Sequence, residues 1–188
     1  MAVEVAASRR RFTRVEYHRM GEVGILRRDD RVELIKGEIV EMSPTGRRHK
    51  AFVTNLAQVL IVRLSGRAIV SVQTGIVLDN DTEPEPDIAV LRQRAVPYKE
   101  READAEDVLL LVEVADRSRA YDRSTKMQLY AEAAIPEYWV VDCDEESIEV
   151  YRTPGPEGYR DVVRVAGSAT LTPHAFPDVN VTAAEIFA

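Results

Sequence analysis

The chain has 188 residues, 45% of them hydrophobic, and a formal net charge of −7 with a pI near 5.1. That length fits one domain, which buries roughly 70% of its unfolded surface and tolerates a few uncomfortable polar groups. The charge argues against a protein that coats nucleic acid by neutralising phosphates, although a local basic patch, screened over ~10 Å, leaves room for a nuclease.

Residues 1–11 lack the apolar core of a signal peptide, end in Arg9-Arg10-Arg11 and read as a flexible arm ahead of a single domain, residues 12–188. Thr13 to Gly21 reads as a short helix, with Thr13 as N-cap and Glu16 completing a capping box. Val32 to Ile35 and Glu38 to Met42 form a hairpin whose turn needs the positive φ that Gly37 supplies. Arg47 to Leu64 is a helix, with Phe52, Leu56, Val59, Leu60 and Leu64 on one stripe. Its longest uncharged stretch, Ala51 to Val62, is far below the ~20 residues of a membrane span, so a cytoplasmic protein is expected. Ala68 to Leu78 reads as a strand, Asp79 to Pro86 as a polar loop and Asp87 to Leu91 as another strand. Arg92 to Asp107 is charged and reads as a surface loop with some helix.

Val108-Leu109-Leu110-Leu111-Val112-Glu113-Val114 is the most telling stretch. A run this apolar without alternation reads as a strand covered on both faces. A carboxylate there costs several kcal/mol unless a cation or strong donors compensate. Arg119 to Ala134 reads as a helix stopped before Pro136, Tyr138 to Asp142 as a buried strand, and Ser147 to Arg152 with Tyr159 to Val165 as a terminal pair. The expected fold class is mixed α/β, with the core order helix, three strands, helix, strand.

Asp87 follows Pro84-Glu85-Pro86 and opens the strand expected beside Glu113. Two carboxylates on neighbouring buried strands repel, and a divalent metal relieves that repulsion. The plainer alternative for Glu113 is an ion pair with an arginine. No arginine adjacent in sequence neutralises both acids. The metal-free site is therefore expected to be strained, and Asp87→Asn to melt slightly higher without metal. Lone Cys143 excludes an intrachain disulfide and a zinc cluster, and no elbow motif surrounds it. No Gly-rich phosphate loop or dinucleotide fingerprint is present. Trp139 and Tyr138 read as core.

Pro86-Asp87 followed by Glu113, in this order of elements, resembles the PD-(D/E)XK nuclease superfamily. The segment Glu33-Leu34-Ile35-Lys36-Gly37-Glu38-Ile39-Val40-Glu41-Met42-Ser43-Pro44 is similar to the Uma family of restriction endonucleases. So are Val112-Glu113-Val114, Tyr121-Asp122-Arg123-Ser124-Thr125-Lys126 and Ile135-Pro136-Glu137-Tyr138-Trp139-Val140-Val141-Asp142. The resemblance implies a restriction-endonuclease-like core and magnesium- or manganese-dependent hydrolysis of a nucleic-acid phosphodiester, with DNA as the expected substrate. Asp87 and Glu113 would be the metal ligands. The lysine expected two residues after the glutamate is Ala115, and Lys126 on the following helix is its natural substitute; its plainer reading is an i,i+4 pair with Asp122. The resemblance also asks for an acid ahead of the first core strand, and the hairpin offers Glu38. His49 stands in Arg47-Arg48-His49-Lys50, where positive charge opposes the helix dipole and hints at an anion; a surface basic cluster is the alternative. Gln73 would support the ligands. Cutting both strands of a duplex suits a homodimer. The alternative to an enzyme is an inactive nuclease-fold protein that binds nucleic acid or serves assembly, favoured by the net charge and by Ala115.

Overall fold

The computed structural model describes residues 9–188; most of the expected arm lies outside them. In chain order the elements are α1 (Arg14–Glu22), β1 (Val32–Ile35), β2 (Glu38–Glu41), α2 (Arg47–Arg63), β3 (Ala68–Val72), β4 (Ile88–Arg92) and β5 (Val108–Ala115). There follow α3 (Arg119–Tyr121), a π-helical turn (Asp122–Lys126), α4 (Met127–Glu132), β6 (Glu137–Asp142), β7 (Ser147–Gly155) and β8 (Gly158–Ala166). The last elements are β9 (Thr170–Leu171), β10 (Val181–Thr182) and α5 (Ala183–Phe187).

Strands β3 to β8 form one six-stranded sheet in sequence order. Every pairing is antiparallel except β5 with β6, where Glu113 stands beside Val140. A parallel pair needs a crossover, and the segment from α3 to α4 supplies it. The fold is mixed α/β, with a central mixed sheet flanked by helices and the expected core order of helix, three strands, helix, strand.

The apolar run of β5 is covered on both faces, as its composition requires. Leu110, Val112 and Val114 join the core under α2, with Phe52, Leu56 and Leu60. Leu111 and Ala115 join a second core with Leu129, Tyr130 and Ile135 on the crossover side. Helix α5 closes the first core, where Phe187 packs edge-on against Phe52 with centroids 5.0 Å apart.

The local signals at the N-terminal end hold. Thr13 caps α1 in a complete capping box with Glu16. The β1–β2 turn uses φ 47° at Lys36 and φ 77° at Gly37, the two positive values a tight hairpin turn needs.

Three stretches differ from expectation. The strand read as Ala68 to Leu78 stops at Val72, because Gln73 turns into the left-handed region at φ 48°. Residues beyond it leave the sheet, and the Ile76 N–H donates to the Pro84 carbonyl instead. The loop after β4 is anchored rather than superficial: buried Asp107, in a short 3-10 turn, pairs with Arg94 and Arg101. The helix read as Arg119 to Ala134 is interrupted by the π turn, a wider coil that is rare and is often found at functional sites.

Candidate active site

The sheet, hairpin and crossover converge on one cleft of about 310 Å³. Glu33 from β1, Asp87 just before β4, Glu113 from β5, and Asp122 and Lys126 from the π turn all line it. His49, on the inner face of α2, completes the floor. All six side chains are buried, and Lys126 is only 3% exposed.

The contacts fall into two groups. Lys126 Nζ lies 2.9 Å from Glu113 Oε1 and 3.0 Å from Glu33 Oε2. The Tyr130 hydroxyl donates to the same Glu113 Oε1 at 2.8 Å. Both bonds land on Oε1, and Oε2 receives none from the described residues. In the second group, Asp87 Oδ2 accepts from the Val114 N–H at 2.8 Å and from His49 Nε2 at 3.0 Å. Asp87 Oδ1 accepts from Gln73 Nε2 at 3.2 Å. The left-handed bend at Gln73 is what releases its amide from the strand to reach Asp87.

The sequence model of the Uma2 family, described as "Putative restriction endonuclease", matches residues 14–184, nearly the whole chain. The chain belongs to the Uma2 family. Among solved structures, it is similar to the crystal structure of a "putative nuclease belonging to DUF820" from Anabaena variabilis. That likeness has a TM-score of 0.67 and 19% identity, over 83% of this chain and 89% of the other. No curated protein matches it. The Uma2 segments therefore build this cleft: the Glu33 hairpin, Pro86-Asp87, Val112-Glu113-Val114 and the Tyr121 to Lys126 turn.

Sequence reasoning picked Asp87, Glu113, Lys126, His49 and Gln73, and the Uma2 fold brings them together. His49 is not part of a surface basic cluster; its ring is buried against Asp87. Lys126 does not make the exposed i,i+4 pair: its partners are Glu33 and Glu113, and Asp122 accepts instead from Ser118 Oγ at 2.5 Å. Glu38 is not brought in. Its side chain is 51% exposed at the hairpin tip, near Arg9. The buried hairpin acid in the cleft is Glu33, near the other end of the ladder and opposite Val40, while Glu41 lines the cleft as an exposed side chain. The signal for it was a lone carboxylate in Val32-Glu33-Leu34-Ile35, of the same kind as Glu113.

One ammonium serves three acids here. Burial works against the Lys126 charge, but Glu113 and Glu33 outweigh it and raise its pKa. Burial pushes the Glu113 carboxyl well above the usual range, against the pull of Lys126, and Asp122, Asp87 and Glu33 add to the rise. Burial likewise lifts Asp122 from 3.8 to about 6, although Ser118 and Lys126 oppose it. Below pH 3.8 Asp122 is protonated in both folded and unfolded chains and costs nothing. The penalty grows between 3.8 and about 6 and is full above that, at about 3 kcal/mol. Asp122→Asn keeps an acceptor for Ser118. It should raise unfolding free energy by about 1–3 kcal/mol at pH 8 and barely at pH 4 in urea titrations. Equal gains at both pH values would remove the burial argument.

The donor set suits a hard cation. Magnesium takes one or two carboxylates and keeps several waters. Asp87 and Glu113 offer two buried carboxylates in one cleft, and Glu113 Oε2 is uncommitted. Among the described residues, the three ligand-type side chains that come within 4.8 Å of one another lie outside the cleft, at His18, Glu83 and Glu102, and they are a poorer fit. Arg14 already sits 2.7 Å from Glu83 and 2.6 Å from Glu102, supplying the positive charge there.

Proposed function

We propose that this chain is a divalent-metal-dependent endonuclease that hydrolyses phosphodiester bonds of nucleic acid, with DNA as the expected substrate. The observation that carries this reading is the convergence of Asp87, Glu113 and Lys126 on one cleft. Asp87 and Glu113 would hold magnesium or manganese. Such an ion supplies Lewis-acid polarisation of a phosphoryl oxygen and a bound water of lowered pKa. His49, Gln73 and the Val114 N–H hold the Asp87 carboxylate at fixed angles, so its lone pairs are oriented before any ligand arrives. Tyr130 and Lys126 do the same for Glu113. The Lys126 ammonium, fixed by two carboxylates, stabilises negative charge developing on the attacked phosphate. Its arrival from the crossover compensates for Ala115, which is fully buried and carries no charge.

The test is plasmid nicking with manganese or magnesium. Wild type should convert supercoiled plasmid to nicked or linear form; Glu113→Ala and metal-chelated samples should not. A folded wild type that cuts neither DNA nor RNA with either metal overturns the enzyme reading. If that protein still binds nucleic acid, the reading of an inactive nucleic-acid-binding module takes its place.

A further inference from the structure

Most arginines and lysines of this acidic chain are committed. Arg14, Arg48, Arg63, Arg67, Arg119 and Arg123, among others, each stand within 4 Å of a carboxylate. Four that have no such partner among the described residues gather at the mouth of the cleft. Arg31 and Arg117 line it directly. Arg47 and Lys50 do not line the cleft but are exposed on the first turn of α2, before and after the lining residue His49. They come from three separate segments: the approach to β1, the start of α2 and the exit of β5. The other cations without a described carboxylate partner, such as Arg28, Arg92, Lys99 and Arg160, lie elsewhere, in other loops, at the end of β4 and on β8.

Uncommitted cations are costly to place together, because like charges repel and α2 has no acidic residue in its first turn to offset them. Their concentration around an acidic floor gives the mouth more cations than acids: Arg31, Arg47, Lys50 and Arg117 stand there with two carboxylates, Glu41 and Asp116, the latter beside Gly46 at the start of α2. We propose that this rim is a docking track for the phosphate backbone on either side of the cut bond, with Arg31, Arg47, Lys50 and Arg117 as its contacts. The inference rests on the nuclease reading of the cleft. The acidic floor makes no phosphate contact without a metal, and the rim holds the flanking phosphates whether or not a metal is bound. A chain of net charge −7 thus binds a polyanion locally without coating it.

Counterion release gives the track a measurable signature. Each phosphate contact adds about 0.9 to the slope of log affinity against log salt on a duplex, or about 0.7 on a single strand. The experiment is fluorescence anisotropy of wild-type protein with a labelled 30-mer duplex and the matching single strand, in chelator to prevent cleavage, across a salt series. Replacing Arg31, Arg47, Lys50 and Arg117 by glutamine should flatten the slope by about 3–4 on a duplex, and each single change by about 1. The triple variant that keeps Arg31, whose guanidinium donates to the Ser43 carbonyl at 2.8 Å, should still flatten it by about 3 and guards against a disturbed loop. Melting curves confirm folding. Lys99→Gln with Arg160→Gln should leave the slope unchanged. An unchanged slope in the rim variants, or equal flattening in the control, overturns the track. If wild type cuts plasmid while the rim variants keep its slope, only the track fails. If wild type neither cuts nor binds, the nuclease reading fails and the track with it.

Discussion

Lys126→Met is expected to abolish cleavage and to destabilise the fold by about 3–5 kcal/mol, the cost of removing one partner from a buried ion pair. Methionine fills the volume but strands Glu33 and Glu113, both buried and both within 3.0 Å of the ammonium. From the sequence, where Lys126 had only Asp122 as a helical neighbour, the same change would have been nearly free. The second arm of the experiment removes the stranded charges. Lys126→Met combined with Glu33→Gln and Glu113→Gln should recover most of the lost stability, because amides in place of carboxylates need no counter-charge. It should recover no cleavage. A single variant as stable as wild type would mean that the ion cluster is solvated and the geometry of the cleft is wrong. Wild-type nicking by that variant would remove Lys126 from the chemistry.

The second large effect concerns Asp87. Manganese at a hundredfold excess over its dissociation constant should stabilise wild type by about 2.7 kcal/mol, which for a chain of this length is roughly 5–10 °C in melting temperature. Asp87→Asn should lose that response. It should also melt lower than wild type without metal, reversing the expectation drawn from two unneutralised acids. The reason is that three donors converge on this carboxylate: His49 Nε2, Gln73 Nε2 and the Val114 N–H. Asparagine has one acceptor oxygen, and its amide hydrogens would face at least one of these donors. A lost charge-assisted bond costs about 1.5–3 kcal/mol. An asparagine variant that melts higher without metal would show that repulsion from Glu113 dominates after all. A wild type indifferent to manganese would sink the metal site.

Much of this was legible because the informative residues violate a local rule. Glu113 stands out only against Leu109, Leu110, Leu111 and Val112, and burial on both faces follows from that run alone. Asp87 is marked by its prolines and by the strand that follows. Less was legible where tertiary contacts overrule the local pattern. Nothing in Ser71-Val72-Gln73-Thr74 announces a left-handed residue, since no glycine is there; the bend goes with a long-range contact from the Gln73 side chain to Asp87. Glu33 is hard to tell from Glu38 in the sequence for a geometric reason. Strand register puts Glu33 opposite Val40 and Ile35 opposite Glu38, so alternation gives both acids the same face. Which end of a hairpin leans over the cleft is a matter of docking, and the apolar neighbours of Glu33 are the one local sign of it.

The π turn has a consequence for editing the chain length. Its wider coil behaves as a regular helix with one residue too many, and Ser124 and Thr125 within it are exposed. Deleting either would restore ordinary helical geometry and leave the apolar stripe of α4 free to keep its seat on the sheet. Asp122 and Lys126 would then stand three residues apart in place of four, still on one helix face but one residue closer along it, so the ammonium would shift relative to Glu33 and Glu113. The surplus residue is an adjustable spacer: it sets how far along the cleft wall an ammonium carried on a helix stands from a carboxylate carried on a strand.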